Sequence, residues 1–97
     1  MRVELHPKAD EEFAAQVEYY DKQQPGLGQR FYREVLGNLE WIVQNAELPR
    51  LRKSYRRVNL KVFPFYVVYV VEGDLAQAVA IAHGKRKPGY WISRIRG

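Results

Sequence analysis

The chain has 97 residues, 46% of them apolar, and no cysteine. That is one domain with enough apolar content for a core, and it excludes disulfide frameworks, thiolate metal sites and a disordered chain. The net charge of +5 hides a split: residues 1–49 hold five Lys/Arg against nine Asp/Glu, and residues 50–97 hold eleven against two, so the halves carry −4 and +9. A field of that polarity steers anionic partners.

RVELH (2–6) alternates Val3 and Leu5 with polar residues, the pattern of a short strand. HPKADEEF opens a helix, with Pro7 in the first turn and His6 at the cap position. Asp10, Glu11 and Glu12 form a solvated start that complements the helix dipole. Ala9, Phe13, Val17 and Tyr20 make its apolar stripe. Pro25-Gly26 breaks the pattern. A second helix runs from about Leu27 to Asn45, with Leu27, Phe31, Val35, Leu39 and Ile42 on one side. A loop this short makes the two helices an antiparallel hairpin. Tyr19, Tyr20 and Trp41 are expected in core or hairpin contacts.

The period then shortens to two. YRRVNL (55–60) and Phe63–Val71 read as strands, with Phe65, Val67, Tyr69 and Val71 on one face. Glu72-Gly73-Asp74 turns the chain into a partner strand, Leu75–His83. The odd positions of that strand are bulky, up to Ile81 and His83, and face the helices; Ala76, Ala78, Ala80 and Ala82 form a shallow opposite face. Either another chain approaches that alanine face, or the C-terminal segment 88–97 covers it with Trp91 and Ile92. The expected fold is α+β, a single β-α-α-β-β-β domain over residues 1–97 with a helical hairpin on a small, mainly antiparallel sheet.

No metal site, cofactor motif, nucleophile elbow or membrane-spanning run is visible, and no apolar leader opens the chain; a cytoplasmic protein without cofactor is expected. The remaining chemistry is cationic. One cluster is Arg50, Arg52, Lys53, Arg56 and Arg57; the other is Lys85, Arg86 and Lys87, between His83 and Tyr90. Brought together, they would form a positive wall able to hold a target or nucleic acid. With an imidazole or phenol beside it, such a wall suits metal-free phosphodiester chemistry. His83 at a strand end fits equally well as a hydrogen-bonded structural residue. Of the successive Arg56 and Arg57, one must leave the wall.

"YRRVNL..FPF.V.Y" followed by "A.AHGKRKP.YW", together with HPKADEEFAAQVEYY and PGLGQRFYREV, resembles the ParE/RelE superfamily of toxins from bacterial type II toxin–antitoxin systems, the plasmid stabilisation proteins. The resemblance covers nearly the whole chain and implies a helical hairpin on a mainly antiparallel sheet. It also implies a cognate antitoxin with an acidic, partly disordered C-terminal segment, which would meet Ala78, Ala80, Arg57, Arg86 and Trp91. Operator DNA would then be reached only through the antitoxin. RelE-like members cleave mRNA on the ribosome, a role that would fall here to His83, Arg86, Tyr90, Arg57, Arg52 and Lys53. ParE-like members inhibit DNA gyrase instead, and "FPF.V.Y" and "HGKRKPGYW" are closer to that branch. An inactive antitoxin-binding relic is the third alternative.

Overall fold

The computed structural model describes residues 1–95. The elements are β1 (Arg2–Leu5), α1 (Pro7–Gln23), α2 (Leu27–Asn45), β2 (Arg56–Asn59), β3 (Phe65–Glu72), β4 (Leu75–His83) and a one-turn α3 (Ile92–Ile95). The four strands form one sheet in the order β1-β4-β3-β2. Its antiparallel pairs are β2–β3 and β3–β4; β1 runs parallel to β4. This is the expected α+β architecture with α3 added. Among the described residues, no helix is long and apolar enough to cross a membrane.

Local chemistry fixes the helical hairpin. His6 caps α1, its Nδ1 accepting the Lys8 N–H at 3.0 Å, and Pro7 occupies a position whose N–H needs no partner. Gly26 at φ +90° makes the corner, a backbone region that favours glycine. Asp21 then accepts the Gly28 N–H at 2.7 Å, satisfying one of the open amides of α2. Gly28 is the contact point of the helices: a Cβ there would stand 2.3 Å from the Val17 carbonyl oxygen.

The stripes of both helices close over β3. Phe31, Val35, Leu39 and Ile42 pack with Phe65, Val67, Tyr69 and Ile81, and Phe13 joins them from α1. Tyr20, Phe31, Phe63 and Phe65 form an aromatic group with tilted or edge-on contacts of 4.9–6.2 Å, the geometry the ring quadrupoles favour. Tyr69 is wholly buried, and its hydroxyl donates to the Ala46 carbonyl at 2.7 Å, tying the end of α2 to the sheet. Of the aromatics expected in helix contacts, Tyr20 is in this group. Tyr19 and Trp41 are instead exposed, because each stands off its helix's apolar stripe.

The alanine face does not form. β4 carries a bulge: Val68 pairs with Ala80 and Tyr69 with Ala78, leaving Val79 unmatched. One extra residue reverses the alternation, so Ala76 and Ala78 face the helices together with Ile81. Val79, Ala80 and Ala82 face the other way. Trp91, 1% exposed, covers that outer face, whereas Ile92 is 43% exposed and does not help. The end of the covering segment, residues 96 and 97, lies outside the described residues.

A candidate basic interface on the outer sheet face

Trp91 is the centre of the outer face. Tyr55, Tyr66 and Tyr90 meet its ring nearly edge-on, at 5.4, 5.8 and 5.1 Å. Two of these tyrosines carry arginines. The Arg57 guanidinium lies 3.9 Å above the Tyr66 ring, and that of Arg86 lies 3.5 Å above Tyr90. Strand alternation aims Arg57 at this face. It sends Arg56 away, where its Nη1 donates to the Glu47 and Pro49 carbonyls at 3.2 and 2.8 Å and pins the loop before β2. Arg52 is close enough to act on the Tyr66 phenol, and its backbone pairs both ways with Tyr55 at 2.8 Å. Lys53 sits inside that turn at φ +50°.

The Arg86 end is anchored by a group at the sheet edge. β1 pairs only with Leu75–Ala78, so among the described residues the edge of β4 beyond Ala78 has no strand beside it. Side chains take the strand's place. Glu12 Oε1 accepts the Ile81 N–H at 3.0 Å, and Arg94 Nη1 donates to the Val79 carbonyl at 2.9 Å. Arg94 Nη2 also donates to Glu12 Oε2 at 2.9 Å, while Arg86 lies 3.7 Å from the same oxygen. Glu12 is therefore part of this edge and not of the solvated helix start. Tyr90 closes the cluster. Burial first, then the charge of Glu12 and a hydrogen bond to it, push the phenol up to about 12 against the opposing pull of Arg86 and Arg94. Tyr66 is raised too, by burial, with Arg57 pulling it down.

His83 belongs to the other side of the sheet. Its ring stands edge-on to Phe65 at 4.9 Å and borders a cleft with Gln16, Tyr19 and Tyr20, a turn along α1 from Glu12. Its Nδ1 accepts the Lys85 N–H at 3.0 Å, which leaves Nε2 as the nitrogen that carries the proton in the neutral ring. The fold thus unites Arg52, Arg57, Arg86 and Tyr90 around Trp91 and turns His83 and Arg56 away. Ala78, Ala80 and Trp91 are buried, at 0%, 0% and 1% exposure, so none of the three is an open contact surface in this chain. Chemically, a neutral, hydrogen-bonded phenol and guanidiniums held on rings suit the binding of anions.

Glu12 and Arg94 escaped the sequence reading. They lie 82 residues apart, and no local pattern joins them. A surface groove of about 670 Å³ lies between the helices, bordered by Leu5, Phe13, Val17, Tyr32 and Leu36 with Asp10 and Gln29, and without a cation. Apolar concavity and positive charge therefore occupy separate surfaces.

A helical hairpin on a four-stranded sheet, with arginines resting over aromatic rings on its outer face, defines a small basic α+β domain. The chain belongs to the ParE toxin family: the family model described as "ParE toxin of type II toxin-antitoxin system, parDE" matches residues 3–88. The fold is also that of a solved structure described as "Chromosomal ParDE TA system from P. aeruginosa". The two are 19% identical with a TM-score of 0.74, over 86% of this chain and 95% of that one. No curated protein matches the sequence.

Proposed function

We propose that this protein is the growth-inhibiting toxin of a type II toxin–antitoxin module, that its target is DNA gyrase, and that a cognate antitoxin neutralises it. The family match over residues 3–88 carries the reading. The cationic face agrees with it: Arg50, Arg52, Lys53 and Arg57 at one end and Lys85, Arg86 and Lys87 at the other are the target contacts. An acidic antitoxin segment would be drawn to Arg57 and Arg86. The separation of His83 from Arg57 and Tyr90 favours gyrase inhibition over ribosome-dependent mRNA cleavage, because a nuclease needs its base, acid and phosphate-neutralising groups within reach of one scissile bond.

Induction of the protein alone in a bacterium should arrest growth, and co-expression of the neighbouring reading frame should restore it. Unimpaired growth in the first case would point to an inactive antitoxin-binding relic. One preparation should then be assayed for loss of gyrase supercoiling and for ribosome-dependent mRNA cleavage. Cleavage abolished by His83→Ala or Arg86→Ala with the fold intact would reverse the choice of target.

A further inference from the structure

From Arg50 to Ile95 the chain carries only two carboxylates, Glu72 and Asp74, both at the β3–β4 turn. Among the described residues no carboxylate lies within 4 Å of Arg50, Arg52, Lys53, Arg57, Lys85 or Lys87; Arg86 has a 3.7 Å partner in Glu12, which Arg94 already engages at 2.9 Å. Apart from Arg86, the cations of the outer face thus have no carboxylate partner among the described residues. The guanidinium carbons of Arg57 and Arg86 also rest over tyrosine rings, at 3.9 and 3.5 Å, which restricts both side chains and reduces the entropy lost on binding.

What the face lacks identifies the anion. Trp91 and Tyr66 are 1% and 3% exposed, Tyr55 and Tyr90 are half-buried, and one face of the rings under Arg57 and Arg86 is already covered, so the face offers unpaired bases no fully open ring to stack on. A protein segment likewise finds no open aromatic anchor between the cations and would have to take its apolar contacts elsewhere on the toxin. A duplex backbone needs neither, since it offers phosphates alone at one charge per ~1.7 Å of axis. We infer that the outer sheet face, through Arg52, Arg57 and Arg86 with the lysines flanking them, docks directly on the phosphate backbone of duplex DNA without reading its sequence. This differs from operator recognition through an antitoxin, and it holds whatever the toxin's target is.

The test is fluorescence anisotropy of the purified chain on a labelled mixed-sequence duplex of about 20 bp, longer at ~3.4 Å per base pair than the protein's 39 Å long axis. With about six phosphates neutralised, affinity should fall roughly 1000-fold between about 50 and 200 mM KCl. Arg52→Gln and Arg57→Gln should each weaken binding on every duplex sequence alike and reduce the salt slope by about 1. Arg57→Lys should keep the slope, and Lys22→Gln on α1 should change nothing. Trp fluorescence and circular dichroism verify the fold of each variant. If Arg57→Gln fails to fold, Arg52→Gln and Arg57→Lys still decide the matter. The inference is overturned by the absence of saturable binding at low salt, or by a slope that neither Gln substitution changes. It is overturned equally by tighter binding of the single strand. Gyrase takes no part, so failure here leaves the toxin reading intact, and a failed supercoiling assay leaves this result intact.

Discussion

Replacing Glu12 by alanine tests the account of the open β4 edge. The carboxylate accepts from the Ile81 amide at 3.0 Å and from Arg94 at 2.9 Å, with the two side chains 18% and 15% exposed. Its loss leaves the Ile81 N–H without its partner, at a cost of about 1–3 kcal/mol. It also strands a mostly buried guanidinium, where breaking such a pair typically costs ~3–5 kcal/mol. The two costs overlap, because both arise from one vacated site and water can partly enter it. A net loss of about 3–4 kcal/mol is therefore expected, a large part of the ~5–15 kcal/mol of a small domain. Glu12→Gln keeps an acceptor for Ile81 and should lose about half as much. Arg94→Met removes the charge that Glu12→Ala would strand. The double variant should accordingly be more stable than additivity allows, by at least ~1 kcal/mol. Urea unfolding followed by circular dichroism and Trp fluorescence measures all four species. A Glu12→Ala loss under ~1 kcal/mol, or an additive cycle, would refute the idea that these side chains stand in for a missing strand.

Gly28→Ala places a methyl 2.3 Å from the Val17 carbonyl and 2.7 Å from the Asp21 carboxyl, so the hairpin must open; a stability loss of at least ~1–3 kcal/mol should appear in thermal melts. Trp91→Ala should cost ~3–5 kcal/mol. Trp91→Phe should cost clearly less, because the buried indole N–H finds no acceptor among the described residues and its removal sacrifices no hydrogen bond. Chemical denaturation of the two variants separates those outcomes. The Tyr90 phenol lies above its ordinary 10, at about 12, so the fold favours its neutral form. The resulting stability is fully present below pH 10 and is lost as pH rises from 10 to about 12. Tyr90→Phe should flatten the alkaline limb of the stability–pH curve in that window, while an unchanged limb would count against the assignment.

The element order was legible because both helices carry long, unbroken stripes and the strands after Arg56 are dense in β-branched and aromatic residues. The faces of β4 were not. Alanine packs equally well against the helices and under Trp91, so a row of alternating alanines runs through the bulge at Val79 without marking it. Glu12 was obscured for a different reason. An acidic residue in the opening turns of a helix has a sufficient local explanation in the dipole, and its partner near the other end of the chain leaves no trace in the local pattern. His83 shows the opposite case. Proximity in the chain groups it with Arg86, yet strand alternation already places it beside Ile81, on the helical side where the structure has it.

The family match ends at residue 88, just before Tyr90, Trp91 and Arg94. Those residues complete the basic face on a scaffold the family shares. Trp91 covers Tyr66, Val68, Val79, Ala80 and Ala82, which would otherwise leave an apolar sheet face open to solvent. Tyr90 provides the ring on which Arg86 lies, and Arg94 closes the sheet edge. Fold and charge presentation therefore depend on the same few side chains. Deleting the segment would remove the Arg86 platform and expose the outer core in one step, so loss of toxicity on truncation would not identify a contact residue. Single changes of Arg52 or Arg57 alter the charge and leave Trp91 seated. For that reason they, and not deletions, separate what the face binds from what holds it in place.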